Sequence, residues 1–193
     1  MHARRFIPGL GALLLITAPI ARAQTAATYP VSSSATPRIP SALRKAEQVK
    51  LTVTDAIALA GQHAGGKIVQ VSLRLQGDRA SYTVVALPNV GEVWRGSVDA
   101  NSGSLINERV TPLRNAATVD QVGPTKAKLA EQAKLPLSQA VERAQAQSGG
   151  RAFDASLENA NGRPAYQIEV ARGDDVTDLV VDPANGVVTP AMD

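Results

Sequence analysis

The chain contains no cysteine, and that absence removes disulfide staples, thiolate metal sites and a thiol nucleophile together. Aromatic residues are scarce too, at 3% of 193 positions. A core must then rest on Val, Leu, Ile and Ala; the 44% hydrophobic share is enough to pack one, with modest stability per small module. Histidine occurs only as His2 and His63. A Ser-His-Asp system would have to use His63, and no Gly-x-Ser-x-Gly elbow accompanies it. A lone histidine also lacks the ligand cluster a metal site needs. Beyond the first 23 residues no stretch is apolar enough to span a membrane.

Those first residues read as an export signal. Arg4 and Arg5 form a basic start, Phe6 to Ile20 is an apolar run, and Ala21-Arg22-Ala23 supplies small residues around a cleavage point after Ala23. The run falls short of the ~20 residues a membrane anchor requires. The mature chain is therefore expected to be periplasmic or secreted. Arg4, Arg5 and Arg22 account for the whole formal charge of +3, so the basic isoelectric point is no sign of nucleic-acid binding. The remaining charge is unevenly placed. Residues 24–134 carry 13 Lys and Arg against 8 Asp and Glu, and residues 135–193 carry 4 against 9. Two differently decorated solvated surfaces account for this, although complementary halves could also attract each other or steer different partners.

The sequence repeats itself at a constant offset of 84 positions, Leu51 to Leu135. Leu51–Ala60 aligns with Leu135–Ala144, Gly65-Gly66-Lys67 with Gly149-Gly150-Arg151, and Tyr82 with Tyr166. After one deletion, Val98-Asp99…Gly103 meets Val181-Asp182…Gly186. In each copy an apolar stripe at helical spacing comes first: Val53, Ala56, Ile57, Ala60, then Leu137, Ala140, Val141, Ala144. Thr52 with Asp55 has the form of a capping box, Pro136 suits a first turn, and the Gly-Gly pairs can end both helices. The period then becomes two. Val69, Val71, Leu73 and Leu75 alternate with polar residues, as do Phe153, Ala155 and Leu157, and each run reads as a half-buried strand. Gly77-Asp78 and Asn161-Gly162 are hairpin signals, and Asp99…Gly103 and Asp182…Gly186 suit Asx turns. A short final strand follows each.

The expected fold class is α+β: two tandem modules, each one helix packed on a three- to four-stranded antiparallel sheet. The expected partition is 1–23 signal peptide, 24–49 flexible arm, 50–108 first module, 109–133 linker with a short helix within Thr125–Lys134, and 134–193 second module.

Both copies resemble the PepSY family in the helix start (Thr54, Ala56, Ile57 and Ser138, Ala140, Val141), the Gly-Gly ending, the central Tyr strand and the Val-Asp-x-x-x-Gly turn. The motifs are structural, and their order and duplication make the resemblance specific. It implies a non-catalytic binding or inhibitory module outside the cytoplasm, of the kind found in propeptides of secreted metallopeptidases and in stand-alone envelope proteins. No catalytic residue or cofactor carries over, and no HExxH occurs in the chain. The implied partner is an extracytoplasmic peptidase or another envelope protein. A structural or assembly role is the alternative.

Four residues stand out as candidates for contact with a partner. Trp94 is the only tryptophan, and exposed aromatics anchor interfaces, but its parity with Gly96 and Val98 points to the core face. Arg95 lies beside it on the opposite face. Asp174 and Asp175 belong to the densest acidic group, whose spacing is not that of an EF-hand loop and suits a solvated hairpin. A surface with no special side chain is also expected, since an open sheet edge can bind a peptide by strand addition.

Overall fold

The computed structural model describes residues 48–89, 91–114 and 122–191. The expected signal peptide and nearly all of the arm lie outside them.

Each module begins with a helix whose start is written locally. Helix α1 (Val53–Ala64) is capped by Thr52: its hydroxyl accepts from the Asp55 amide at 3.1 Å, and the Asp55 carboxylate accepts from the Thr52 amide at 2.8 Å. Helix α2 (Pro124–Gln132) carries Pro at its first turn, where a missing N–H costs little. Helix α3 (Leu137–Ser148) follows Pro136 with no side-chain cap and stops at Gly149 in the left-handed conformation. The predicted stripes are the buried faces, Val53, Ala56, Ile57 and Ala60 on α1 and Leu137, Ala140, Val141 and Ala144 on α3.

The strands are β1 (Lys67–Gln76), β2 (Arg79–Leu87), β3 (Glu92–Asp99), β4 (Leu105–Pro112), β5 (Arg151–Ala160), β6 (Arg163–Arg172), β7 (Asp175–Val181) and β8 (Val188–Pro190). The second glycine of each Gly-Gly pair is required by close packing. A Cβ on Gly66 would stand 2.0 Å from the Leu87 carbonyl oxygen, and one on Gly150 2.5 Å from that of Ala171. Helix end and second strand can therefore touch only where no side chain intervenes. Both copies also carry a bulge at one place in the first strand, at Ile68/Gln70 and Ala152/Asp154.

The two sheets fuse. All pairings are antiparallel, in the order β4-β3-β2-β1-β5-β6-β7-β8. At the junction Gln70 pairs with Ser156, Val71 with Ala155 and Ser72 with Asp154. Ala155 is the counterpart of Val71 at the repeat offset, so the modules are related by a pseudo-twofold axis through this pair. The helices cover one face, and a single hydrophobic cluster runs from Val53 and Val84 in one module to Leu137 and Ile168 in the other. The linker region takes part: Leu129 and Ala130 of α2 are buried, and Lys126 pairs with Glu158 of β5 at 3.3 Å. The opposite face carries a polar row beside buried Val85, Val93 and Val180. The register lines up Asn107, Ser97, Thr83, Ser72, Asp154, Glu169 and Asp178 across seven strands.

Candidate functional site

The junction is built twice, once on each side of the pseudo-twofold axis. Tyr82 donates its hydroxyl to the Leu51 carbonyl at 2.9 Å, and Tyr166 donates to the Leu135 carbonyl, the counterpart acceptor, at 2.8 Å. The segment before each helix is thereby tied to the second strand of its own sheet. A cation then reaches across from the other module. Arg151 donates to the carbonyls of Val49 (2.8 Å) and Leu51; Lys67, its counterpart, donates to Ala133 (3.0 Å) and Ala130 (2.7 Å). Val49, Leu51 and Ala133 precede α1 and α3, Ala130 lies in the last turn of α2, and a charge-assisted donor satisfies their carbonyls.

The two half-sites differ in how they are filled. On the Arg151 side the guanidinium spans two carbonyls, and the Gln145 side chain accepts from the Ala152 amide at 2.9 Å. On the Lys67 side Gly61 stands where the repeat has Gln145, and a cleft of about 320 Å³ opens beside Ile57, Gly61, Lys67, Ile68, Lys134 and Tyr166 and the first turn of α3.

The sequence candidates fall elsewhere and are not brought together. Trp94 is 3% exposed, its ring lying over Gly96 and its indole N–H donating to Glu108 at 3.3 Å, so it is a core residue and offers no surface to a partner. Arg95 is on the face away from the helices, paired across β3–β4 with Arg109, in a shallow depression lined also by Thr83, Ser97 and Asn107. Asp174 and Asp175 are exposed at the β6–β7 turn. Five strand spacings, roughly 24 Å, separate that strand from Arg95. His63 is exposed in the last turn of α1. Among the described residues no three His, Asp or Glu side chains are grouped to hold a metal, and no helix is long and apolar enough to cross a membrane.

A further feature is the sheet edge. Fusion consumes the outer edges of β1 and β5, leaving β8, three residues long, at one end and β4, eight residues long, at the other. On β4 Ile106 is 53% and Val110 57% exposed. Lys67 and Arg151 escaped the sequence reading as junction residues. Their alignment after the Gly-Gly pairs was visible, but their acceptors become neighbours only when the two sheets fuse.

This architecture defines a tandem helix-on-sheet module protein in which two copies share one sheet and one core. The chain belongs to the PepSY family, described as peptidase propeptide and YPEB domain, which matches residues 50–109 and 134–189, more than half of its length. Domains of this family are in general non-catalytic extracytoplasmic modules of propeptide or regulatory type. No curated protein matches the sequence significantly. Among solved structures, the chain is similar to a crystallised protein of Clostridium difficile 630 assigned as a lipoprotein, with 21% identity, 73% of this chain and 91% of that chain covered, and a TM-score of 0.43. A likeness at that level adds nothing to the family assignment.

Proposed function

We propose that this protein is an exported, non-catalytic binding module that takes an extended segment of an extracytoplasmic peptidase as an added strand on β4. The observation that carries this reading is the β4 edge. It is the one long edge that fusion leaves among the described strands, and it presents Ile106 and Val110 to solvent. Unpaired strand backbone supplies main-chain hydrogen bonds to an incoming segment, and exposed aliphatic side chains give it an apolar footing. The export signal expected at 1–23 and the propeptide association of the family agree with it.

The test is capture of partners from envelope extract on the immobilised mature chain, with a peptidase-activity assay on the same extract. Retention of a peptidase, slowed proteolysis, and loss of both in Ile106→Lys and Val110→Lys variants are expected. Failure to retain or slow any envelope peptidase, or full activity in both variants, overturns the reading. The alternative is an assembly role in which the basic half of one copy meets the acidic half of another. The 13-to-8 and 4-to-9 charge counts favour it, and a monomer by light scattering at both low and high salt would exclude it.

A further inference from the structure

The pseudo-twofold axis lets each half of the junction serve as a reference for the other. Three residues lining the Lys67 half are smaller than their counterparts at the repeat offset, Gly61 for Gln145, Ala58 for Glu142 and Lys67 for Arg151, while Ile57 and Ile68 are larger than Val141 and Ala152. The fold does not demand this emptiness. A Cβ on Gly61 would stand 3.8 Å from the Ile68 Cδ1, an ordinary contact. On the other side of the axis the Gln145 side chain occupies the equivalent position, bonded to the Ala152 amide.

Its lining is chemically one-sided. Ile57 and Ile68 make an apolar wall, Lys67 and Lys134 are the charged residues, and no carboxylate lines the space. The first turn of α3 borders it without a side-chain cap, whereas the counterpart turn of α1 is closed by Thr52 and Asp55. Amide N–H groups left uncapped at a helix start favour negative charge, in support of the two ammonium groups. At about 320 Å³ the cleft is at the small end of ligand sites, which run from about 300 to 1,000 Å³.

We propose that this cleft binds a small amphipathic carboxylate, an acid group on a branched aliphatic body of leucine size, with the acid at Lys67 and the α3 start and the body against Ile57 and Ile68. Such a group exists as a free branched-chain acid or as the C-terminal residue of a peptide, and the chemistry of recognition is shared. The site is separate from the β4 edge, and its occupancy does not depend on the reading of that edge.

The test is calorimetric titration of the mature chain with 4-methylpentanoate, N-acetyl-leucine and N-acetyl-leucinamide, with amide chemical shifts followed in parallel. One equivalent of at least one carboxylate should bind, with shifts at Gly61, Lys67 and Ser138, and the neutral amide should bind about ten-fold more weakly or not at all. Binding of both acids marks the free acid as sufficient; binding of N-acetyl-leucine alone marks a peptide C-terminus. Gly61→Gln, which restores the filling seen in the other half, should abolish binding. Lys67→Met should weaken it about ten-fold; a thermal melt and circular dichroism spectrum are recorded for each variant. The proposal is overturned if neither carboxylate binds up to about 10 mM, if the amide binds equally well, or if a folded Gly61→Gln chain binds like the parent.

Discussion

Tyr82 and Tyr166 show how single residues carry the fold. Each buries its ring and spends its hydroxyl on the carbonyl two residues before its module's helix. Replacement of either by Phe removes that hydrogen bond, the Leu51 carbonyl keeping its Arg151 donor, and should cost about 1 kcal/mol, read from denaturant melts. Burial also pushes the Tyr166 hydroxyl up to about 12 and raises that of Tyr82, against the opposing pull of Arg151. A folded value above the unfolded one near 10 means that this contribution is complete below about pH 10 and is lost as pH rises through the folded value. Stability should therefore fall between about pH 10 and 12, and Tyr166→Phe should flatten that decline. Gly96 is the opposite case, valuable for what it lacks. A Cβ there would stand 2.1 Å from the Trp94 ring, so Gly96→Ala should cost about 1–3 kcal/mol and shift Trp94 fluorescence toward that of a wetter indole. The parity of Trp94, Gly96 and Val98 was readable from the sequence because strand side chains alternate. The contact of ring with glycine was not, since it depends on the rotamer.

At the scale of elements, helix starts were the most legible feature because a cap is a local contract among four residues. The Thr52–Asp55 box is a clear instance. The hydrogen bonds from Thr52, side chain first and backbone second, hold the Asp55 carboxyl below the usual carboxylate range. Its folded value is depressed, so its contribution is present above the unfolded pKa and disappears as pH falls through the folded one. Asp55→Asn should thus remove part of the acid dependence of stability. Thr52→Ala should cost about 1 kcal/mol at neutral pH, both by thermal melts at a series of pH values. The last strand of the first module was less legible. It was expected to be short, and β4 runs for eight residues with five consecutive exposed positions. An edge strand lacks the alternating burial on which period-two reading depends. The short helix expected within Thr125–Lys134 is present as α2 (Pro124–Gln132). That its Leu129 and Ala130 are buried in the shared core was not legible, since two buried residues in nine leave little stripe.

For the whole molecule, the shared sheet and continuous core predict that the two repeats unfold as one cooperative unit. Trp94 fluorescence, which reports the first module, and far-ultraviolet circular dichroism, which reports both, should therefore give coincident unfolding transitions. Arg151→Ala removes a cation that bridges the modules through the Val49 and Leu51 carbonyls. It should cost about 2–3 kcal/mol and begin to separate the two transitions. Separate transitions in the parent chain would show that the junction is energetically weak.

The sequence by itself determined the modules: their number, the helix stripes, the Gly-Gly stops, the Asx turns and the family, since capping, periodicity and turn chemistry are settled among residues close in the chain. Tertiary structure alone decided how the modules meet. Pairing β1 with β5 requires two edges to find each other across a pseudo-twofold axis, and edge backbone carries no side-chain code for its partner. The crossed reach of Lys67 and Arg151 and the cleft beside Lys67 depend on that encounter.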